Sequence, residues 1–343
     1  MSRVAVVSFR LGGTDGVAIE AAKWIEALRR LGHEVRTVAG SGVADHLLPG
    51  LAMDAAAAPH PDELAAALSG VDLVVVENLA SLPLNLAARD VLYDVLQGRP
   101  ALFHHHDLPW QRPHLAHLEG PRDSPTWRHV TINELSRREL AERGIVATTL
   151  YNSFDCDPPL GRRAETRARL ALDAERVIGL PTRAIARKNV AGAIELSRAL
   201  DAVLWVMGPP EDGYDEEFER LMANSGVAHR RLLPDGVTMD DAYAACDLVV
   251  MPSTWEGFGN PVLESVTHRR PLALNPYPVA KEIASFGFRF FALENVEGLR
   301  AVLDAPDEEL LDANLAVARR HFNLADLPER LRRVTGDLLS PRD

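Results

Sequence analysis

The sequence has very little cysteine. Only Cys156 and Cys246 occur among 343 residues, and they do not form a C-x-x-C pair. Two isolated cysteines do not build a disulfide framework or a cysteine-based zinc site, and sparse cysteine is typical of a reducing compartment. The first ten residues, MSRVAVVSFR, become polar too early for a signal peptide. We therefore expect a cytoplasmic protein.

The sequence also lacks long apolar runs and an excess of basic residues. No stretch of about 18 uncharged apolar residues occurs, and no basic amphipathic helix suggests membrane docking, so we expect no integral membrane contact. Lys and Arg number 37 against 49 Asp and Glu, which gives a formal net charge of −12. Broad binding to nucleic acid needs clustered positive charge, so we expect no nucleic-acid partner. A local basic pocket for a small anion stays open.

What the sequence does contain is an alternation of short apolar runs with longer amphipathic ones, repeated twice. The first series of strands is predicted at 3–9, 34–39, 72–78, 100–106 and 129–133. The second series is predicted at 176–181, 202–208, 230–234, 246–253 and 271–275. Buried strands that alternate with helices predict parallel sheets covered by helices, and the length suits two such domains.

The segment YNSFDCDPP (151–159) separates the two series and has the composition of a linker. We predict an N-terminal Rossmann-like domain at 1–153 and a C-terminal one at 154–324. Residues 311–339 predict two helices, and the final one, about 325–340, packs back on the N-terminal domain. The fold class is therefore α/β, with two doubly wound domains that face each other across a cleft. Such sheets bind ligands beyond the carboxyl ends of their strands.

The segment EGFGNPVLE (256–264) follows a predicted strand and places two carboxylates around a glycine-rich turn. Gly257 and Gly259 let the backbone approach a ligand closely. Asn260 and the proline after it predict a helix capped by Asn260, whose free N–H groups suit an anion. Glu264 is then the fourth helical residue, one position beyond a capping-box acid. The alternative is a solvated acid in the first helical turn.

The segment LPTRAIARKN (180–189) carries two cations spaced five residues apart, Arg183 and Lys188, between a strand and a helix capped by Asn189. Two fixed cations can hold a diphosphate and stabilise the charge that develops as it leaves. The alternative is a pair of solvated surface charges. We expect Arg187 to be the solvated member of this loop.

Gly12 and Gly13 form a turn between the first strand and the first helix. They can bring backbone N–H groups to a phosphate, but the G-x-G-x-x-G spacing is missing. A tight turn that needs positive φ explains them equally well.

The segment FHHHDLPWQR (103–112) ends another strand. Strand alternation directs His104 and His106 to one face and His105 to the other. No matching carboxylate and histidine cluster can be named elsewhere in the sequence, so we expect no metal at this His-x-His pair. We assign these histidines to hydrogen bonding at the mouth of a cleft.

Three further side chains are candidates for contact with a second substrate: Trp110 with a sugar ring, Arg112 with a carboxylate or phosphate, and Asn78 at the end of a strand. A packing tryptophan and a surface arginine are the alternative.

Together these motifs resemble the retaining GT-B glycosyltransferases of family 4, the glycosyl transferases group 1. The strongest signal is the E-x7-E element from Glu256 to Glu264, and the Arg183/Lys188 pair is the second. His106 with Asp107 and the Gly12-Gly13 turn are supporting signals. The resemblance covers essentially the whole chain.

The resemblance implies a site for a nucleoside-diphosphate sugar. Glu264 would bind the ribose hydroxyls, Arg183 and Lys188 the diphosphate, and Glu256 and His106 the hexose; these last four would be the catalytic residues. The implied donor-binding residues are Gly12, Gly13, Arg183, Lys188, Glu256, Gly257, Phe258, Gly259, Asn260 and Glu264.

The resemblance also implies transfer with retention at the anomeric carbon, with no cofactor and no essential metal. The paired cations would replace the metal of other glycosyltransferases. Asp155 and Asp157 form a D-x-D in the linker, which we do not interpret as a metal site.

The sequence departs from the family at VTHRRP (266–271) and NPYPVAKEI (275–283). The nucleotide base, the hexose, the linkage and the oligomeric state therefore stay open. The short chain favours a small soluble acceptor, such as a sugar, a sugar acid or a polyol. The alternatives are a nucleotide-sugar epimerase and a non-catalytic protein that binds a sugar nucleotide.

Overall fold

The computed structural model describes residues 1–13, 15–82, 84–172 and 176–339. Contacts divide the chain into two compact units. The N-terminal unit is Met1–Ser153 with the C-terminal segment that starts at Leu324, and the C-terminal unit is Phe154–Asn323. Each unit is a parallel sheet with helices on both faces, as the alternation in the sequence predicts. Among the described residues, no helix combines the length and the apolar composition that crossing a bilayer requires.

The N-terminal unit is built on seven strands. They are β1 Arg3–Leu11, β2 Glu34–Gly42, β3 His46–Leu47, β4 Leu73–Glu77, β5 Ala101–His105, β6 Trp127–Thr131 and β7 Ala147–Thr149. Its helices are α1 Gly16–Arg30, α2 Pro61–Ala67, α3 Leu86–Leu96 and α4 Glu134–Ala141. The strand order is β3-β2-β1-β4-β5-β6-β7, and the recorded pairs are parallel.

Strand β1, in the interior of this sheet, shows why the unit has two cores. Alternate residues of β1 point to opposite faces, and both faces are covered. Val4 and Val6 pack with one cluster, which includes Trp24 of α1, whereas Ala5 and Val7 pack with another on the opposite face. A continuous run of buried apolar residues is therefore required, and VAVV supplies it.

Over its described residues, the C-terminal unit has six strands and eight α-helices. The strands are β8 Val177–Leu180, β9 Val203–Val206, β10 His229–Arg231, β11 Leu248–Met251, β12 Leu272–Leu274 and β13 Phe291–Ala292. The helices are α5 Arg163–Arg169, α6 Val190–Ala199, α7 Asp215–Ala223, α8 Met239–Ala245, α9 Asn260–Thr267, α10 Pro278–Ala284, α11 Val296–Asp304 and α12 Glu308–His321. The strand order is β10-β9-β8-β11-β12-β13.

Each sheet contains one point where the strand order reverses. In the N-terminal unit it lies between β1 and β4, and in the C-terminal unit it lies between β8 and β11. At such a switch point the loops after the two strands diverge to opposite faces and leave a crevice at the carboxyl ends, where α/β sheets bind ligands. The topology thus marks the loops that follow β8 and β11.

The last helix of the chain, α13 Leu327–Leu339, belongs to the N-terminal unit. It packs beside α1, and its Leu331 is fully buried in the same core cluster as Val4, Val6 and Trp24. The helix has an apolar stripe at Leu327, Leu331 and Leu338, which is the spacing of one buried helical face. The chain therefore closes the N-terminal unit with its final segment.

This packing predicts that Leu331→Ala destabilises the protein. The substitution empties a fully buried site and should lower the free energy of unfolding by about 2–5 kcal/mol. The matched control is Arg333→Ala, on the exposed face of the same helix, which should change the free energy by less than about 0.5 kcal/mol. Urea denaturation followed by circular dichroism measures both. Equal effects of the two substitutions would contradict burial of α13 against the N-terminal core.

Candidate active site

The switch point of the C-terminal unit gathers the loops after β8 and β11. The two loops are joined directly, since the Thr254 N–H donates to the Arg187 carbonyl at 2.9 Å and the Asn189 amide donates to the Pro252 carbonyl at 3.3 Å. Asn189 also caps α6, as its sequence position predicts, by accepting a bond from the Gly192 N–H. One asparagine therefore fixes both the start of the helix and the spacing of the loops.

The centre of the arrangement is an ion pair between Lys188 and Glu256. Lys188 Nζ donates to one carboxylate oxygen of Glu256 at 2.5 Å, and Arg187 donates to the other oxygen at 2.5 Å. Glu256 is only 5% exposed and Lys188 only 7%. The glutamate at the start of the E-x7-E element is thus held by two cations from the neighbouring loop.

Burial and pairing shift the pKa values of both partners. Burial opposes the ionisation of Glu256, but the Lys188 and Arg187 cations outweigh it and lower the pKa of Glu256. Burial is also the largest effect on Lys188 and lowers its pKa, and the carboxylate of Glu256 compensates only in part. The lysine is therefore a poorly hydrated cation, which strengthens its attraction for an incoming anion.

The arginines of this loop do not behave as the sequence predicted. We expected Arg187 to be solvated, and this was wrong: Arg187 binds Glu256 and also donates to the Trp255 carbonyl at 3.0 Å. Arg183 is the more exposed of the two, with 43% of its side chain accessible, and it pairs with Glu211 at 2.5 Å. Adjacent charged residues in ARK gave no local signal for which of them would turn inward.

Arg183 is positioned by a glycine that the sequence analysis did not single out. Gly208 follows β9, and a Cβ built there would lie 2.6 Å from the Thr182 carbonyl and 2.7 Å from the Arg183 Cα. Any side chain at 208 would therefore push the Arg183 loop out of place.

The glycine-rich turn after β11 begins its helix one residue earlier than predicted. The cap is Gly259, with φ of +86°, and α9 starts at Asn260 rather than after it. Asn260 is therefore not the cap, and Glu264 becomes the fifth helical residue. A Cβ on Gly259 would lie 2.4 Å from the Tyr277 hydroxyl, so both the positive φ and the close contact require glycine.

The side chain of Phe258 is buried, so only its backbone is available to a ligand at this turn. Its ring is 3% exposed and stacks on Phe154 at 5.8 Å in the core of the C-terminal unit. The buried ring anchors the turn between Gly257 and Gly259, and the Phe258 carbonyl accepts from the Tyr277 hydroxyl at 3.2 Å.

Glu264 is not a freely solvated acid. The hydroxyl of Tyr243, a fully buried residue of α8, donates to Glu264 Oε2 at 2.7 Å. Burial, followed by the neighbouring Glu264, raises the pKa of Tyr243 well above its usual value, so the hydroxyl stays a donor. The Tyr243 hydroxyl thus orients the Glu264 carboxylate. No feature of the sequence around residue 264 indicates that Tyr243 is its partner.

In the N-terminal unit, the glycine turn lies at the corresponding place after β1. Gly12 has φ of +74°, which favours glycine, and a Cβ on it would touch Val43 at 3.1 Å. Asp15 caps α1 by accepting from Val17 N and Ala18 N at 3.1 Å each, and Arg10 binds its other oxygen at 2.7 Å. The Asp15 carboxylate therefore already accepts two of the N–H groups at the start of α1.

His106 and His104 point to the same face, as strand alternation predicted, and both contact Glu77. Glu77 Oε2 lies 2.8 Å from His104 Nδ1 and 3.1 Å from His106 Nε2. Burial raises the pKa of Glu77, but the two histidines outweigh it and lower the pKa to about 2. Trp24 stacks on His104 at 4.0 Å between ring centroids. His105 faces the other way and bonds Ser81 and His129.

This cluster corrects one premise of the sequence analysis. We found no carboxylate to accompany the His-x-His pair, but Glu77 lies opposite His104 in the register of β4 and β5. Glu77, His104 and His106 form a fully buried group whose ligand atoms lie within 4.8 Å of one another, a donor set that can hold a metal ion. The geometry fits equally well a carboxylate that orients two histidine rings by hydrogen bonding.

The candidate acceptor residues are also engaged. The Asn78 side-chain oxygen accepts from the backbone N–H groups of His106 and Asp107 at 3.0 and 3.2 Å, so Asn78 orders that loop. Arg112 pairs with Asp107 at 3.0 Å. Trp110 donates its indole N–H to Glu139 at 2.8 Å, and the Arg143 guanidinium covers its ring at 3.7 Å. These contacts leave less of Trp110 for a sugar ring than the sequence suggested.

The linker aspartates do not point towards one another. Asp155 accepts from the Asp157 backbone N–H at 2.9 Å, and Asp157 pairs with Arg319 at 2.5 Å. The D-x-D therefore forms a local turn with an external arginine partner.

Part of the C-terminal unit matches a known protein family. Residues 184–309 match the family model described as Glycosyl transferases group 1. The matched segment contains Lys188, Glu256 and Glu264, and Arg183 immediately precedes it.

Two similar proteins are named mannosylglucosylglycerate synthase. The one from Thermotoga maritima is 26% identical over 425 aligned positions, which cover 96% of this chain and 99% of the relative. The one from Petrotoga mobilis is 23% identical and covers 96% of each chain. Because 425 positions exceed the 343 residues of this chain, the Thermotoga relative has insertions that this chain lacks.

Solved structures establish the fold. Anabaena HepE in complex with UDP-glucose superposes with a TM-score of 0.74 at 16% identity and covers 98% of this chain and 100% of that chain. Sucrose-phosphate synthase from Thermosynechococcus elongatus gives 0.73 at 14% identity and covers 98% and 99%. Both alignments run through the two units of this chain. The C-terminal unit therefore carries the glycosyl transferases group 1 family match, and the chain has the GT-B fold, as its motifs predicted.

Proposed function

We propose that the protein is a retaining hexosyltransferase that moves glucose or mannose from a nucleoside-diphosphate sugar to a small soluble hydroxyl acceptor. The observation that carries the proposal is the buried Lys188–Glu256 pair at the switch point of the C-terminal unit, with Arg187 and Arg183 beside it. A basic loop next to a buried carboxylate suits a ligand that is anionic at one end and rich in hydroxyls at the other.

The acceptor is best sought among sugar acids. The name of the two relatives describes a product that contains a glycerate, and therefore a carboxylate. In this chain, Arg112 keeps a buried Nε without a partner among the described residues, beside its contact with Asp107. Arg112 is the residue that we assign to the acceptor carboxylate, with a neutral sugar or polyol as the alternative acceptor.

Donor binding divides between the loops of the C-terminal unit. Lys188 and Arg183 bind the diphosphate, and the backbone of 257–260 contributes N–H groups at the start of α9. Glu264, held by Tyr243, accepts hydrogen bonds from the ribose hydroxyls. Glu256 accepts hydrogen bonds from the hexose.

The chemistry is a substitution at the anomeric carbon. The bond from C1 to the diphosphate oxygen breaks, the bond from C1 to the acceptor oxygen forms on the same face, and the acceptor proton passes to the departing phosphate oxygen. Negative charge grows on the diphosphate as it leaves, so fixed cations stabilise the transition state more than the ground state. We assign this stabilisation chiefly to Lys188, because it is buried and bound to Glu256.

The proposal is tested by detecting the product. Purified protein is incubated with UDP-glucose or GDP-mannose and with D-glycerate, glucosylglycerate, glucose or glycerol, and products are analysed by mass spectrometry. We expect an acceptor that has gained one hexose, with α configuration at the new linkage by ¹H NMR. We also expect activity to survive EDTA, since the cations replace a metal.

The outcomes separate the alternatives. Conversion of the donor without an acceptor indicates an epimerase, and nucleotide binding without turnover indicates a non-catalytic binder. A β-linked product excludes retention. Loss of activity in EDTA that Mn²⁺ or Zn²⁺ restores would assign a metal role to Glu77, His104 and His106 or to the linker aspartates.

Lys188→Met and Glu256→Gln should each lower kcat by more than about 100-fold, because each removes a group that contacts the donor in the transition state. Lys188→Met leaves Glu256 with Arg187 alone, and Glu256→Gln leaves Lys188 and Arg187 without their carboxylate, which destabilises the unit. The double variant no longer buries an unpaired Lys188 and should be more stable than Glu256→Gln, without recovering activity.

Thermal unfolding is therefore measured on the same samples as kcat. Arg220→Met, which breaks an exposed ion pair with Glu217 in the same unit, is the matched control and should keep normal turnover. Near-normal kcat in Lys188→Met or Glu256→Gln contradicts the assigned roles.

Glu264→Ala should weaken binding of UDP or GDP by about tenfold or more, since charged hydrogen bonds to the ribose are lost. Tyr243→Phe should weaken it by about threefold to tenfold, because the carboxylate loses the bond that orients it. Isothermal titration calorimetry measures both. Tyr214→Phe makes the same chemical change in α7's N-terminal turn and should leave affinity unchanged; equal affinity in all three variants would remove Glu264 from the nucleotide site.

A further inference from the structure

The C-terminal unit contains a cavity at the opposite end of its sheet from the candidate donor site. Its volume is about 470 Å³, within the usual range for small-molecule sites. Asp247 and Pro271 line it and immediately precede β11 and β12, so the cavity lies at the amino ends of these strands. The donor residues follow the carboxyl ends, which places the two sites at opposite ends of a parallel sheet.

The acids that line the cavity are all paired. Asp247 binds Arg163 at 2.5 Å, and Asp157 binds Arg319 at 2.5 Å. Glu308 binds Arg269 at 2.5 Å, and Asp240 binds His268 at 2.9 Å. Each lining carboxylate therefore has its own cationic or imidazole partner.

Arg270 is the exception among the lining cations. Its guanidinium has no ion pair and no hydrogen bond with any described residue, and its Nε is buried without a partner. Burial and the neighbouring Arg163 cation lower the pKa of Arg270, while Asp247 and Glu308 act in the opposite direction without contacting it. A partly buried arginine that lacks a counter-ion is costly, and a bound oxyanion would remove that cost.

The wall also has apolar members. They are Leu303, Leu311 and Leu315, together with Pro158, Pro159 and Leu160 of the linker. The planar guanidinium binds a carboxylate or phosphate through two parallel bonds, and the apolar wall covers a carbon body. A cavity of this size holds more than an inorganic ion.

We propose that this cavity is a second small-molecule site, which binds an organic oxyanion, a carboxylate or a phosphate ester, through Arg270. The site is separate from the donor site and does not depend on the reaction proposed above. Thr267 and His268 at the end of α9 line it, whereas Glu264 lies earlier on the same helix. The two sites therefore contact the same helix, α9, which has eight residues and spans only about 12 Å.

The test is a calorimetric titration of the full chain with D-glycerate, glycerol 3-phosphate, inorganic phosphate and, as the neutral probe, glycerol. We expect at least one of the two organic anions to bind saturably, more tightly than inorganic phosphate, and glycerol not to bind. D-glycerate and glycerol 3-phosphate distinguish a carboxylate ligand from a phosphate ester. Arg270→Met should weaken the binding at least tenfold, and Arg270→Lys, which keeps the charge but not the two parallel bonds, should have a smaller effect.

Three controls decide where the anion binds. Arg220→Met removes an exposed arginine from the same unit and should keep full affinity. Lys188→Met removes a cation of the donor site, and Arg112→Met removes the arginine assigned to the acceptor; both should keep the affinity that depends on Arg270. Binding that is kept in Arg270→Met and lost in Lys188→Met or in Arg112→Met places the anion in the donor or the acceptor site and overturns the proposal. The absence of binding by either organic anion up to about 10 mM does so as well.

Discussion

The candidate active site depends on one interaction, the buried ion pair between Lys188 and Glu256. The pair spans the switch point of the C-terminal sheet and joins the loop after β8 to the loop after β11. Two charges taken out of water pay a desolvation cost that their attraction repays only with good geometry, so such a pair is weak evidence for stability. The ion pair instead positions the two loops relative to each other. Arg187 binds the second oxygen of Glu256, and hydrogen bonds from Thr254 and Asn189 hold the two loops at the spacing that the pair needs.

Much of the fold could be predicted because buried parallel strands leave a strong signal. VAVV in β1 and VVV in β4 are apolar on both faces, and each predicted strand overlaps an observed one. The strands that escaped prediction, β3, β7 and β13, have two or three residues each and lie at or near the sheet edges with exposed or half-exposed side chains. Burial pattern cannot identify a strand that is short and not buried. The predicted start of α9 is wrong by one residue because Gly259, which has a left-handed backbone conformation, is the N-cap in place of Asn260.

The sequence predicts which residues lie at the ends of the strands, but it does not predict which side chains contact one another. Parallel strands bring the residues after their carboxyl ends together, which is why Lys188 and Glu256 could be expected to lie close to each other. What each side chain contacts depends on elements distant in sequence. Tyr243 reaches Glu264 from α8 over 21 positions, and Glu77 meets His104 through the register of β4 and β5. Arg187 was assigned to solvent because nothing in ARK distinguishes an inward cation from an outward one.

The pairing of these charges suggests how a donor is accommodated in the proposed reaction. Three cations, Arg183, Arg187 and Lys188, face two carboxylates, Glu211 and Glu256, so the loops have one positive charge more than negative. A diphosphate that approaches Lys188 competes with Glu256 for the same ammonium group. In the proposed reaction the Arg187 contact keeps one cation on Glu256, and the carboxylate oxygen that Lys188 leaves becomes an acceptor for a sugar hydroxyl. The ion pair therefore holds both charged groups in place until the donor supplies a phosphate for Lys188 and a hydroxyl for Glu256.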